Sequence, residues 1–490
     1  MNRVIIQVRR HLLPAVAGLL LVSSCRSVEP VTLPRAAPVP ATFVSSASDS
    51  SSIADQPWRR FFADPNLVSL IDSALQANPD LGIAIQRVEM ARANVLVARG
   101  ALLPTVNAVG SAGVDRFADY TMNGIGNYDT NLSNNIEGKQ RIPTPTPEFF
   151  LGLRSSWEID LWGKLRNRRK AAVARLLASD KGRQLVQTSL VAQVARLYYS
   201  LLALDNELVV LGKNRALQER AVEIIKIQKL GGRATELAVQ QFTAQLLRTR
   251  SLQVEAQQRI VATENELNRL LGRYPQTITR GQPIGQQPLP QQVTAGIPAA
   301  MLLHRPDVQQ AERELLAARA DVDAARAAFL PSLTLTPYLG LNSYNASVLF
   351  NTPASLAYGL LGGLAGPILN RNVIKADYRR SAAEQREAYY NYQKAIQTGF
   401  QEVVTSLKGI DNYQRMHELQ EQEVLALNKA VEISNDLYGA SYASYLEVIT
   451  AQRSVLEAEL NLTNTRREQF LLLIDLYRAL GGGSTESLPM

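Results

Sequence analysis

Two hydrophobic periods alternate along the chain, and the switches between them lay out its elements. Val186, Leu190, Val194, Leu197, Leu201, Leu204, Leu208 and Leu211 succeed one another at spacings of three and four residues. Such a seam marks a helix with one continuously apolar side, as in coiled coils. No proline interrupts the pattern from about Lys164 to Leu230, so a single helix of roughly 100 Å is predicted at about 1.5 Å per residue. Gly231-Gly232 ends it, and a return helix is expected from about Thr235 to Leu271, closing at Gly272. Arg371 to about Leu437 and Ser444 to Leu480 repeat this plan.

Ahead of each long helix the period drops to two. Phe149, Leu151, Leu153, Trp157 and Ile159 alternate with Gly152, Arg154, Ser156, Glu158 and Asp160; Leu333, Leu335, Leu339 and Leu341 alternate with Thr334, Thr336, Tyr338 and Asn342. Four strands are expected, at about 104–116, 148–160, 331–343 and 355–365, with a polar loop from Phe117 to Pro147 between the first two. Alternation fits a half-buried sheet packed on helices as well as a sheet with one face in lipid.

A duplicated stretch ties the two patterns together. Ala91–Pro104 reads ARANVLVARGALLP and Ala318–Pro331 reads ARADVDAARAAFLP, at a constant offset of 227 (318 − 91). The chain is therefore read as an internal duplication of a strand-helix unit. Its expected parts are a leader at 1–24, an extended Pro/Ala/Ser-rich tether at 25–56, a first repeat at 57–272, a linker at 273–298, a second repeat at 299–483 and a tail at 484–490.

Composition narrows the function. Lys and Arg exceed Asp and Glu by eight, but three of these charges (Arg3, Arg9 and Arg10) lie in the leader, and the rest alternate with acids. No basic stripe forms, so no nucleic-acid partner is expected. The basic start, the apolar run from Leu12 to Val22 and Ser23-Ser24-Cys25 make a secretory signal too short to span a bilayer. Cys25 is the chain's one cysteine and has no disulfide partner. It is either incidental to the cleavage site or the lipid acceptor of a lipobox, which Val22-Ser23-Ser24-Cys25 resembles. The second reading puts N-acyl and S-diacylglycerol groups on Cys25. Arg26, rather than Asp, follows it and implies sorting to the outer membrane. The secretory signal and the long loop at one end favour strands in lipid.

Four strands cannot close, and lipid does not tolerate open edges. Two chains would give eight strands and a filled interior; three would give twelve and room for a conduit. A homotrimer is expected if the strands cross a membrane.

The whole chain after the leader resembles the TolC-like outer-membrane factors, specifically the lipoprotein channels of tripartite efflux systems. The resemblance rests on Trp58, Phe61, Asp64-Pro65 and Leu67, on Ser156-Trp157-Glu158-Ile159-Asp160-Leu161-Trp162-Gly163-Lys164, and on Gly296-Ile297-Pro298 with Leu302-Leu303-His304-Arg305-Pro306-Asp307. It implies a mostly α fold with a membrane β-barrel: a trimeric twelve-stranded barrel, four strands per chain, on a long periplasmic α-helical barrel. It further implies an exit duct for drugs or other toxic small molecules, working with a periplasmic adaptor and an inner-membrane transporter. A duct for type I protein secretion and a non-conducting envelope lipoprotein are the rival readings.

No catalytic or metal site is expected. His11 lies in the leader, His304 before a helix and His417 on a helix, without ligand spacing, a phosphate loop or a nucleophile elbow. Function is expected at the turns that end the long helices. Gly231 and Gly232 form one; Gly439 and Ser441 form the other, where Ser441 replaces the family's usual glycine. Both are candidates for adaptor docking, although glycine also serves plain helix capping. Leu446 and Arg453 match the leucine and arginine of the family's gate. Thr450 stands where relatives carry an acid, and Glu447, one turn away, is the candidate for a three-fold carboxylate ring. Like charges at an axis repel, which would make such a ring easy to open.

Overall fold

Side-chain caps set where the first helices begin. The computed structural model describes residues 30–35, 38–40, 42–43, 52–53, 56–136, 138–289, 296, 298–367 and 371–483. Cys25 and the leader lie outside the described residues. After α1 (Trp58–Phe61), Asp64 accepts from Asn66 N–H at 2.9 Å and starts α2 (Pro65–Ala77), with proline at the first helical position. Asn78 starts α3 (Pro79–Gly100), accepting from Leu81 N–H at 3.0 Å. There follow β1 (Thr105–Asp115), α4 (Met122–Leu132), β2 (Thr146–Ile159), α5 (Lys164–Leu230) and α6 (Glu236–Leu270). The second pass comprises α7 (Pro298–His304), α8 (Pro306–Ala327), β3 (Ser332–Ser343), β4 (Leu356–Ala365), α9 (Asn372–Gly439) and α10 (Tyr445–Ala479).

In space the chain divides into two compact units that cut across the repeats: a strand unit containing Val97–Ala171 and Ala318–Tyr389, and a helical unit containing Ala37–Leu96, Ala172–Ala317 and Tyr390–Met490. In the strand unit the sheet runs β1-β2-β3-β4, every neighbour antiparallel. The register aligns Ala108, Leu153, Leu339 and Tyr358 in one cross-strand row, and Gly110, Leu151, Leu341 and Leu356 in another. Leu151, Leu153, Leu339, Leu356 and Tyr358 are exposed, so this apolar face is outward in the single chain. On the other face, Phe150 lies over a paired Gly152 and Gly340, where an added Cβ would meet backbone within 2.4 and 2.7 Å. Its ring meets Tyr338 edge-on at 6.3 Å and lies under the Arg154 guanidinium.

The Trp-Glu-Ile-Asp-Leu-Trp-Gly stretch makes the turn from β2 into α5. Asp160 accepts from the backbone N–H groups of Leu165 (3.0 Å) and Arg166 (2.9 Å), supplying orphan donors of the new helix. Gly163 takes φ +80 in the turn. Trp157 Nε1 donates to Leu102 O at 3.0 Å and Trp162 Nε1 to Pro331 O at 2.7 Å, so each indole holds one helix-to-strand splice.

The helical unit is built on the expected seam. Leu190, Val194, Leu201, Leu204 and Leu211 are buried, and Val186, Leu197 and Leu208 half-buried. Trp58, Leu67 and Ile71 complete this core with Leu476 and Tyr477 of α10. Each return helix meets its repeat's leading helix through a matching junction. Asn78 Nδ2 donates to Leu270 O, the last carbonyl of α6, at 2.8 Å. Arg305, the residue before α8, donates from a guanidinium NH2 group to Ala479 O, the last carbonyl of α10, also at 2.8 Å. Gly272 (φ +65) and Gly481 (φ +87) follow at the same place, where a Cβ would lie 2.2 Å from Ala77 O and 2.6 Å from His304 O. Only glycine suits both the backbone angle and the approach. In the second repeat Arg305 is buried and also pairs with Asp307 through two bonds (3.0 and 2.6 Å) and with Glu402 (2.8 Å), which holds Arg478 as well.

One expectation needs correction. The loop at 117–147 contains helix α4, capped by Thr121, which accepts from Gly124 N–H at 3.2 Å. Its glycines and asparagines are weak helix formers, and tertiary bonds hold it. Described residues of the tether pack on the helical unit: Phe43 lies against Phe400 at 5.3 Å, Ile53 is buried, and Gln56 O accepts from Tyr477 OH at 2.7 Å. The linker is likewise anchored, through buried Ile278 and Ile284.

Candidate functional site

The two long hairpins end in turns with the same hydrogen-bond plan. In the first, Gly232 N–H donates to Lys229 O at 3.0 Å and Arg233 N–H to Gln228 O at 2.8 Å; in the second, Ser441 N–H donates to Tyr438 O at 3.1 Å and Tyr442 N–H to Leu437 O at 2.8 Å. Both are Schellman closures, in which one residue takes left-handed angles. That residue is Gly232 (φ +71) in the first turn and Ser441 (φ 64) in the second. Gly231 precedes the first of these positions, and Gly439 is the last residue of α9. Three residues beyond the left-handed position stand the N-caps, Thr235 and Ser444.

Charge and burial differ between the tips. Glu236 pairs with Lys229 across the first turn and accepts from Gln240 at 2.6 Å. These hydrogen bonds, Lys229's first, hold its carboxyl below the usual range. Beneath the second turn, Tyr438 OH donates to Gln228 Oε1 at 2.5 Å, joining the hairpins, and burial raises the phenol's pKa. Val222, Ile225, Val239, Phe242 and Val448 pack between the hairpins. Outside that cluster, Leu230 and Tyr442 are 88% and 85% exposed.

Along α10, Leu446, Thr450 and Arg453 share one exposed stripe opposite buried Val448, Gln452 and Val455. Glu447 is exposed as well, but its carboxylate accepts from Ser444 N–H and completes a capping box. The Ser444-x-x-Glu447 spacing carries that signal in the sequence. His417 Nδ1 lies 3.7 Å from Glu421, and among the described residues no group of three or more His, Cys, Asp and Glu could hold a metal ion. Nor is any described helix long and apolar enough to cross a membrane. Cavities of about 220 Å³ beside Glu158, Asp160 and Lys164 and about 30 Å³ beside Gln218 and Gln452 fall short of a small-molecule site, which takes roughly 300 Å³ or more.

Known proteins match over nearly the whole chain. A family model described as "Outer membrane efflux protein" matches residues 70–273 and 297–482. Among curated relatives, the pyoverdine export outer membrane protein OpmQ of Pseudomonas aeruginosa is 31% identical over 478 residues, covering 96% of each chain. The probable outer membrane lipoprotein SilC of Salmonella typhimurium is 30% identical, covering 96% of this chain and 98% of its own. A solved structure of CusC, a cation efflux system protein in Escherichia coli, aligns with a TM-score of 0.79 at 28% identity, over 93% of this chain and 99% of its own.

Proposed function

Because this chain belongs to the outer membrane efflux protein family, we propose that it is the passive exit duct of a tripartite pump for toxic small molecules. It works in the outer membrane. The observation that carries the duct reading is the four-stranded sheet with its open edges, β1 and β4. In lipid those edges need partners, and three copies closing twelve strands leave a conduit. The purified protein is expected to run as a trimer in mild detergent and to conduct ions in a planar bilayer. A monomer that conducts would overturn the trimer; a trimer that does not conduct would leave a structural envelope lipoprotein. Deletion of the gene followed by a panel of toxic compounds tests the cargo. Raised susceptibility is expected, whereas unchanged susceptibility with lost secretion of a protein would favour type I secretion.

Relatives named for pyoverdine export and for cation efflux both match this chain over more than nine-tenths of its length, which supports a duct whose selectivity lies in its inner-membrane transporter. Cys25 carries the lipid anchor in this reading, as the name of SilC supports. The turns at Gly231-Gly232 and at Gly439 to Ser441 dock the periplasmic adaptor, with Leu230 and Tyr442 as apolar contacts. Leu446, Thr450 and Arg453 line the gate. Glu447 contributes to the gate through its cap: Glu447→Ala is expected to cost about 0.3–1.5 kcal/mol and to leave cation preference unchanged in bilayer recordings.

A further inference from the structure

Helix α4 is held down by its polar side and displays its apolar one. Asn131 makes a two-point bond with Ile142, donating from Nδ2 to the carbonyl and accepting at Oδ1 from the N–H, both at 2.8 Å. One turn earlier, Asn127 Nδ2 donates to Thr146 Oγ1 at 3.3 Å. Gly124 belongs to the same side, where a Cβ would lie 2.2 Å from Ala118 O. These three are the only residues of the helix that are not exposed. Met122, Ile125, Tyr128 and Leu132 form a separate stripe beside them, at spacings of three, three and four, and are 89, 52, 69 and 66% exposed. An apolar stripe on a pinned helix needs cover.

Sheet topology indicates the cover. The strands alternate in direction, so the last residue of β1, Asp115, and the first of β4, Leu356, lie at the same end of the sheet. From that end the chain leaves β1 for α4, and to that end the β3–β4 connection returns, carrying Phe350 at 69% exposure. When β1 of one copy pairs with β4 of the next, α4 and the neighbour's Phe350 connection meet beyond the same strand ends.

We propose that the apolar side of α4 docks on the Phe350 connection of the adjacent copy, clasping the loop end of the strand pair that joins two protomers. The clasp rests on the barrel reading above. A lipid surface fits the helix less well: Met122–Leu132 contains no lysine or arginine for headgroup phosphates, and Asp129 sits within the apolar arc.

Cysteine cross-linking of the full chain in outer membranes tests the clasp. Tyr128→Cys with Phe350→Cys is expected, on mild oxidation, to give linked dimers and trimers on a non-reducing denaturing gel, absent from either single variant. A second set pairs cysteines placed along Val106–Val114 with others along Leu356–Leu364 and reads the joining strands directly. Links there without a Tyr128–Phe350 link overturn the clasp alone; no links in either set overturn the barrel and the clasp with it. In an independent arm, the signal that Tyr128→Trp adds to the emission of Trp58, Trp157 and Trp162 is expected to resist quenching by brominated phospholipid. Strong quenching would assign α4 to lipid and overturn the clasp.

Discussion

At Ser441 a side chain occupies a backbone conformation that its counterpart leaves to glycine. Left-handed angles cost an L-residue roughly 1–2 kcal/mol, partly offset by glycine's greater loss of freedom on folding. Ser441→Gly is therefore expected to stabilise the second hairpin by about 1 kcal/mol or less, seen as a higher melting temperature. The sequence shows that serine stands at a turn; the angle φ 64 comes only from the closure around it. His417 offers a second test. Burial lowers its pKa below 6.5, aided by Arg466 and opposed by Glu421 and Glu418. A depressed folded pKa means that the unfolded chain binds the proton first. The stability is present above about pH 6.5 and is lost as pH falls through the folded pKa. Melting temperature is expected to drop between about pH 7.5 and pH 5.5, and His417→Gln should flatten that drop.

Between elements, the junctions explain the Arg-Pro-Asp motif. Its proline begins α8, its aspartate forks with the arginine, and the arginine closes the end of α10. Arg305→Ala takes the guanidinium from Asp307 and from the Ala479 carbonyl and leaves Glu402 with Arg478, and is expected to cost about 1–3 kcal/mol in denaturant unfolding. Arg305→Lys should recover little, because an ammonium cannot make the fork. The motif was legible in the sequence while its reason was not, since Glu402 lies far away along the chain. The long helices and four strands were legible because each keeps one period over many residues. Helix α4 was not, because its weak helix formers depend on Ile142 and Thr146. The Gly152–Gly340 pair was hidden as well, since strand register is a property of two segments. Gly340→Val would drive a branched side chain into the Leu151 carbonyl and is expected to abolish heat-modifiable oligomer on gels.

On the scale of the molecule, sequence repeats and spatial units are different partitions: each repeat contributes to the sheet and to the helical unit. The pairing of β2 with β3 joins the repeats in one sheet, so neither half completes it alone. Sequence reasoning reached the duplication because the duplicated residues survive, but sequence order cannot reveal which parts gather in space. The matched but unequal turns carry a further consequence, one of counting. A three-fold ring of these chains would present two kinds of tip in alternation. A partner that recognises only the shared turn geometry would find six places, and one that needs Tyr442 would find three. Binding stoichiometry, measured with intact protein and with Tyr442→Ala, would thus reveal whether that partner still sees a six-fold object or reads the divergence of the halves.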